Sequence, residues 1–262
     1  MNQFMNHSRS EQMLVLIPCF NEQGRVGEVI RSVKNILPSA AIVVIDDAST
    51  DNSAEEASKA GAVVLTHGTN LGYGGALETG YLYAINKGYE TVVQMDGDGQ
   101  HPADQLPKLM APAADDNPDI VIGSRYPEKT SNPSISILRK TGHKLISLII
   151  FMLTGLRLSD PTSGFQMLNK RALKFFSSGV FPCDYPDSDV ILMARMAGLR
   201  IREVPVEMRT RASGKSMHSG LEPFYYAIKM SLAMFIVLLN FRAWRRWRLA
   251  HDKNIPTGKK VK

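Results

Sequence analysis

Short apolar runs alternate with helix-like stretches along the first half of this 262-residue chain, and this alternation limits the fold more than any other feature. The runs at 13–17, 41–45 and 91–95 are almost continuously apolar, which is typical of strands buried on both faces. The stretch 23–36 carries apolar residues at helical spacing. Strands and helices that alternate in this way predict an α/β fold with a doubly wound, mostly parallel sheet.

Weaker signals extend the pattern along the chain. We expect strands at 62–66, 119–123 and 198–208, helices at 54–60 and 187–196, and a glycine-rich loop at 72–75 followed by a helix to about 87. The segment 139–158 is apolar but is interrupted by Thr154 and Gly155, so it predicts no definite membrane span.

Acidic residues follow two of the predicted strands directly. Asp46 and Asp47 end one of them, and Asp96 and Asp98, with Gln100, end another. Ligands of doubly wound sheets bind beyond the carboxyl ends of the strands, so both clusters are expected in one site. Alternate residues of an extended segment share a face. The second cluster can therefore converge on a hard cation that prefers oxygen ligands, although a simple turn remains the alternative reading.

Composition excludes several classes of protein. The two cysteines, Cys19 and Cys183, provide no disulfide framework or zinc-ligand spacing, which indicates a reducing compartment.

The net charge of +6 is concentrated in 242–262, which holds eight Lys or Arg and one Asp. A nucleic-acid-binding protein spreads positive charge over its folded surface, so no nucleic-acid partner is expected. The polar stretch 1–13 lacks the apolar core of a signal peptide.

The C-terminal segment is apolar and then basic. The stretch 223–241 is borderline in length for spanning a bilayer. It runs into arginines interleaved with Trp244 and Trp247, a pattern that suits the lipid headgroup layer. The sequence therefore predicts an amphipathic, interfacial or transmembrane helix over 221–250 and a basic tail over 251–262. A core helix with a solvated end remains the alternative.

Six motifs occur in an order that resembles family 2 glycosyltransferases with the GT-A fold. Among these, the chain is most similar to polyprenyl-phosphate glycosyltransferases of the dolichol-phosphate mannose synthase type. The resemblance covers about 13–217 and implies a GT-A type, Rossmann-like domain there. The motifs lie at 18–22, 46–51, 96–101, 123–126, 160–165 and 214–216.

The resemblance also implies roles on the donor side. A nucleotide sugar is expected to be bound by Pro18, Phe20, Glu22, Asp46, Asp47, Asp96, Gly97 and Asp98. Mg²⁺ or Mn²⁺ is expected to be held by Asp96, Asp98 and Gln100. The catalytic residues that the resemblance implies are Asp98, Arg125 and Asp187. Capping of the next helix by Asp46 or Asp51 remains the alternative for the first acidic cluster.

The acceptor implied by the resemblance is a polyprenyl phosphate, undecaprenyl or dolichyl. Such a phosphate is already an anionic nucleophile and needs little help from a base. Basic side chains suit its oxygens, and the candidates are Arg125, Arg139, Arg209, Arg211 and Lys215. A sugar or acceptor pocket is expected at Asp160, Ser163 and Asp187, although Asp160 could equally begin a turn.

These expectations describe an inverting, metal-dependent transfer of a hexose from a donor such as UDP-glucose or GDP-mannose. Transfer is expected at the cytoplasmic face of the cell membrane, by a peripheral protein or one with a single C-terminal helix in the membrane. The formation of a homo-oligomer is left open. Two alternatives remain: a family 2 enzyme that elongates a glycan on a hydroxyl acceptor, and a non-enzymatic membrane protein that binds nucleotide sugars.

Overall fold

The computed structural model describes residues 12–125, 137–179, 181–182, 186, 188–209 and 232–251. Its strands are β1 (Met13–Cys19), β2 (Ala41–Asp46), β3 (Val63–Thr66), β4 (Thr91–Gln94), β5 (Ile120–Ser124), β6 (Gln166–Asn169) and β7 (Ile201–Pro205). They form a seven-stranded sheet in the order β3-β2-β1-β4-β6-β5-β7. Strand β6 runs antiparallel to β4 and β5, and the other neighbouring pairs are parallel. The predicted mostly parallel α/β fold is confirmed.

Helices cover both faces of this sheet. They are α1 (Val26–Ile36), α2 (Ser53–Lys59), α3 (Gly72–Asn86), α4 (Leu106–Met110), α5 (Pro112–Asp115), α6 (Ile137–Thr154), α7 (Lys170–Phe176), α8 (Ser188–Met196) and α9 (Phe241–His251). Residues 103–105 form a 3₁₀ turn, and residues 232–239 are helical.

Each face of the sheet has its own hydrophobic core. On one face, α1 and the 103–110 region cover the alternate residues of β1 and β2 that include Val15 and Val44. On the other face, α3, α7 and α8 cover residues such as Leu16. Helix α3 lies so close to β1 that a Cβ atom at Gly80 would collide with the methyl groups of Leu16. This close approach explains a glycine inside a helix, where it costs stability.

Two expectations about elements were wrong in detail. The segment 72–75, predicted as a loop, is the first turn of α3. The last strand is shorter than predicted, since β7 ends at Pro205 and the chain before Ile201 is a turn. The broken apolar segment 139–158 lies mostly in α6, which ends at Thr154 beside Gly155 in a left-handed conformation (φ +70°). Helix α7, which the sequence did not predict, follows β6 directly.

The C-terminal helix α9 packs against the domain through its two tryptophans. Trp244 is only 8% exposed, and its indole nitrogen donates to the Val237 carbonyl at 2.8 Å. The ring of Trp247 lies 4.6 Å from that of Phe175, and the Arg171 guanidinium lies over Trp247 at 5.7 Å. These contacts agree with the core-helix alternative for the two tryptophans, and the membrane contact of this helix stays a prediction. Among the described residues, none of the helices has the length and apolar content needed to cross a bilayer.

We expect Trp244→Ala to lower the free energy of unfolding by about 3–5 kcal/mol, because it empties a large buried site. Arg245→Ala, on the exposed side of the same helix, should change it by less than about 0.5 kcal/mol. Urea denaturation of the full-length protein measures both values. Equal values for the two variants would contradict the docking of α9.

Candidate active site

The loops that follow β1 and β2 are joined into one unit by hydrogen bonds. The Asn21 side-chain oxygen accepts from the Thr50 amide at 2.9 Å, and the Asn21 amide donates to the Ser49 hydroxyl at 3.0 Å. The Glu22 amide donates to the Ser53 hydroxyl at 2.7 Å. These bonds hold the carboxyl ends of β1 and β2 in a fixed relation.

The residues expected to border the nucleotide lie together at this edge. Gly97 lies so close to the end of β1 that a Cβ atom there would be 3.4 Å from the Pro18 carbonyl and 3.8 Å from the Glu22 side chain. Phe20 is 47% exposed, so its ring is available for stacking. The Glu22 carboxylate forms an ion pair of 2.7 Å with Arg25.

Asp47 holds the start of α3. Its carboxylate oxygens each accept at 2.8 Å from the backbone amides of Leu71 and Gly72, which lie at the helix N-terminus. One oxygen also lies 2.7 Å from Nδ1 of His67, whose Nε2 lies 3.0 Å from the Thr79 hydroxyl. A carboxylate is favourable at this end of a helix. The structure thus gives Asp47 a capping role for a helix remote in sequence.

Asp46 differs from its neighbour. It is 1% exposed, and its Oδ1 atom is buried with no hydrogen-bond partner among the described residues. It lies opposite Cys19 in the pairing of β2 with β1. Burial, with a further contribution from Asp46, raises the pKa of the Cys19 thiol to about 12. A buried acceptor without a donor calls for an explanation such as a bound ligand.

Asp96 is held from two sides. The Tyr73 hydroxyl donates to Oδ1 of Asp96 at 2.9 Å, and the Asp96 amide donates to Nδ1 of His101 at 3.0 Å. That bond leaves the His101 proton on Nε2, which lies 3.7 Å from Oδ2 of Asp96. The His101 ring stacks on Phe165 with centroids 5.0 Å apart. The Asp96 carboxylate remains half-exposed.

Asp98 is held by Gln100. Its carboxylate accepts from the Gln100 amide at 2.9 Å and from the Gln100 side-chain nitrogen at 2.5 Å. Gln100, expected to bind the metal, thus orients the other candidate ligand Asp98 through its side-chain nitrogen, and its own metal-binding role stays a prediction. The Gln100 carbonyl accepts from the Arg209 amide at 2.9 Å, which brings the exposed Arg209 to this loop.

The donor set at this loop fits a metal shared with a ligand. Within the part of the chain that the structure describes, His, Cys, Asp and Glu side chains form no group of three or more that could hold a metal ion. Asp96 and Asp98 nevertheless offer hard oxygen ligands from one loop. Mg²⁺ in particular is usually bound by one or two carboxylates together with substrate phosphates.

Arg125 and Asp160, both expected at the substrate, are bound to each other. The guanidinium contacts the two carboxylate oxygens at 2.6 and 2.8 Å and the Thr162 hydroxyl at 2.9 Å. Asp160 is fully buried, and its amide donates to Glu203 at 2.7 Å. The structure therefore places Asp160 at the start of a turn, beneath Arg125. This pairing fixes the 160–165 loop against the end of β5.

The 160–165 loop also reaches Asp96. Ser163 is buried, and its hydroxyl accepts from the Phe165 amide at 3.3 Å. A Cβ atom at Gly164 would lie 3.6 Å from both carboxylate oxygens of Asp96. The loop thus closes one side of the candidate site. Asp187, Arg211, Lys215 and the side chain of Arg139 lie outside the described residues.

Sequence reasoning missed several residues of the site. Tyr73, Gln94 and His67 received no role, because each contacts its acidic or amide partner across 20 or more residues of chain. The only available signal was a tyrosine among the glycines that begin α3. His101 stood inside a recognised motif without an assigned function.

Comparison with known proteins identifies the class. Residues 14–176 match the model for Glycosyl transferase family 2. The chain belongs to this family and is a glycosyltransferase, and the expected GT-A fold is confirmed.

Individual relatives and solved structures agree with this family. The chain is 31% identical over 216 residues to an undecaprenyl-phosphate mannosyltransferase of Micrococcus luteus, covering 80% of this chain and 88% of that protein. It is 28% identical over 240 residues to a UDP-N-acetylglucosamine–dolichyl-phosphate N-acetylglucosaminyltransferase of Methanococcus voltae, covering 83% and 95%. Glucosyl-3-phosphoglycerate synthase of Mycobacterium tuberculosis, solved with Mn²⁺ and UDP-glucose, superposes with a TM-score of 0.66 and 18% identity over 90% of this chain and 81% of that one.

Proposed function

We propose that this protein transfers a hexose, with inversion, from a nucleotide sugar to a polyprenyl phosphate. The names of the two relatives support the acceptor class. The observation that carries the proposal is the pair of carboxylates at the end of β4. Asp96 and Asp98 are each fixed by neighbouring donors, lie half-exposed, and adjoin an arginine at position 209.

The donor side is built from the ends of β1 and β2. The exposed ring of Phe20 offers a stacking surface for a base. Oδ1 of Asp46 supplies an acceptor for a base N–H, which would satisfy its buried lone pairs. Both oxygens of Asp47 already accept backbone amides. We therefore assign base recognition to Asp46 first.

A divalent cation would be held by Asp96 and Asp98, with Gln100 keeping Asp98 in place. The cation would neutralise the charge that grows on the leaving nucleoside diphosphate. Mn²⁺ accompanies UDP-glucose in the Mycobacterium tuberculosis structure. Mg²⁺ and Mn²⁺ both suit these oxygen ligands.

On the acceptor side, the phosphate attacks without needing a base, since it is already ionised. A single in-line displacement at the sugar carbon inverts its configuration. The guanidinium of Arg209 is available near the 96–100 loop for the acceptor phosphate, and arginine suits phosphate oxygens. Arg125 lies at the end of β5, oriented by Asp160.

A hydroxyl acceptor would require a carboxylate base within hydrogen-bond reach. Asp160 is buried beneath Arg125 and is not placed for that task. Asp187, the other carboxylate expected in that pocket, lies outside the described residues. The acceptor named for the two relatives is what favours phosphate over elongation of a glycan. Membership of the glycosyltransferase family disfavours a protein that only binds nucleotide sugars.

Membrane association is proposed through an exposed face beside α8. Helices α6 and α9 both pack on α8. Near them, Met152 of α6 is 66% exposed and Leu239 is 68% exposed. The exposed arginines of α9 include Arg242, Arg245 and Arg246. Exposed apolar side chains beside basic ones suit an anionic lipid surface, here the cytoplasmic leaflet where the acceptor is met.

We expect Asp98→Ala to reduce turnover at least about a hundredfold, because the site loses charge stabilisation worth several kcal/mol. The measurement is release of nucleoside diphosphate from UDP-glucose or GDP-mannose with undecaprenyl phosphate. Asp104→Ala, an exposed carboxylate shortly after the loop, is the matched control and should keep its activity. Near-normal turnover by Asp98→Ala at saturating metal would refute the metal assignment.

Arg209→Ala should raise the KM for the acceptor about tenfold to a hundredfold, since a charge-assisted hydrogen bond is worth about 1.5–3 kcal/mol. The KM for the nucleotide sugar should change much less. Arg202→Ala removes another exposed arginine, one at the amino end of β7 that pairs with Asp116 at 2.8 Å, and serves as control. Unchanged acceptor kinetics in Arg209→Ala would remove Arg209 from the acceptor site.

The membrane face is tested by point variants, because removal of the C-terminal segment would also remove Trp244 from the core. Combined Phe235→Glu and Leu239→Glu should reduce flotation with both neutral and anionic liposomes. Combined Arg245→Glu and Arg246→Glu should reduce it only with anionic liposomes, by at least about 2 kcal/mol at about 1 kcal/mol per arginine.

Leu82→Glu, at an exposed apolar position of α3, is the control for these flotation measurements. High salt should mimic the arginine variant and not the apolar one, since screening acts on charge alone. Flotation of all variants like the unchanged protein would assign membrane contact to another surface.

A further inference from the structure

The Tyr73 hydroxyl lies between the candidate metal ligand Asp96 and the buried side chain of Gln94. It donates to Oδ1 of Asp96 at 2.9 Å and accepts from Nε2 of Gln94 at 3.2 Å. The direction of both bonds follows from Gln94. The oxygen of Gln94 accepts from the Tyr81 hydroxyl at 2.5 Å, and its nitrogen also donates to the Gly164 carbonyl at 2.9 Å.

This arrangement makes Tyr73 a permanent donor. Because Gln94 donates one N–H to the Tyr73 oxygen and the other to the Gly164 carbonyl, the acceptor for the Tyr73 proton among the described residues is Asp96. One carboxylate oxygen of Asp96 therefore carries a hydrogen bond from the Tyr73 hydroxyl.

Two further contacts fix the tyrosine itself. The backbone just before it is held by Asp47, which accepts from the amides of Leu71 and Gly72. On the other side, a Cβ atom at Gly164 would lie only 2.8 Å from the Tyr73 hydroxyl oxygen. The hydroxyl has little room to move, so the geometry of Asp96 depends on it.

We propose that Tyr73 is a positioning residue that orients Asp96 for the divalent cation, an inference that rests on the proposed metal-dependent function. Carboxylates that bind metals are themselves hydrogen-bonded, and loss of such a partner typically weakens metal affinity about 10- to 100-fold. Tyr73 touches neither the donor nor the acceptor in this assignment. It acts through Asp96 alone.

The test is direct titration of Mn²⁺ into the full-length protein, with free Mn²⁺ followed by electron paramagnetic resonance. UDP and GDP are added in separate runs as the nucleotide probes. Tyr73→Phe should raise the Kd for Mn²⁺ about tenfold or more. It should raise the Mn²⁺ concentration for half-maximal turnover similarly, and lower kcat much less at saturating Mn²⁺.

Two further variants separate positioning from general damage to the fold. Gly164→Ala should weaken Mn²⁺ binding in the same direction, because the added methyl group would lie 2.8 Å from the Tyr73 hydroxyl and 3.6 Å from the Asp96 carboxylate, and so crowds their contact. Its backbone is not in the left-handed region, so alanine is tolerated there. Tyr81→Phe removes a buried hydroxyl from the same network without touching Asp96, and should leave the Kd for Mn²⁺ within about twofold while lowering the melting temperature.

The outcomes are distinct. Weaker Mn²⁺ binding in Tyr73→Phe and Gly164→Ala, but not in Tyr81→Phe, supports the inference. Unchanged Mn²⁺ affinity in Tyr73→Phe, or an equal loss in Tyr81→Phe, overturns it while the proposed function stands. Absence of Mn²⁺ binding by the unchanged protein with either nucleotide overturns the metal site, and the inference with it.

Discussion

The parallel pairing of β1 with β2 on one side and with β4 on the other is the constraint on which the site depends. The pairing places Cys19 opposite Asp46 and Leu16 opposite Gln94, so both acidic strand ends emerge at one edge. A slip by one residue would turn every side chain of a strand to the other face. The hydrogen bonds between the loops after β1 and β2 therefore hold the side chains of the candidate site in position and also stabilise the fold.

The first turn of α3 connects the two acidic clusters. Asp47 accepts its backbone amides, and Tyr73 extends from it to Asp96. Gly72 adopts a left-handed backbone with φ +85°, a conformation that most residues avoid. Glycines lower helix stability, and a remote carboxylate at the N-terminus offsets part of that cost. The same turn that strengthens the fold thus links the nucleotide edge to the proposed metal position.

The strands that a short stretch of sequence indicates were predicted correctly. The side-chain roles that depend on residues distant in the chain were not. Strands β1, β2 and β4 were predictable because their apolar runs are continuous and each is followed by a turn or an acidic end. Strand β6 was not, because four residues that lead directly into a helix show no period. The role of Asp160 could not be decided from the sequence, because its partner Arg125 lies 35 residues away. The helix at 72–75 was missed because its capping carboxylate is not adjacent in sequence.

Helix α9 shows how one pattern fits two environments. Tryptophans interleaved with arginines suit a lipid headgroup layer and the surface of a folded domain equally well, because each of these environments has an apolar side and a side exposed to water. Here both tryptophan rings pack against Phe175, and the Arg171 guanidinium lies over Trp247. Since the tryptophans fix the rotation of the helix, Arg242, Arg245 and Arg246 are left exposed. The packing of the aromatic residues thus determines which charges are free for a lipid surface, so fold stability and the proposed membrane attachment depend on the same helix.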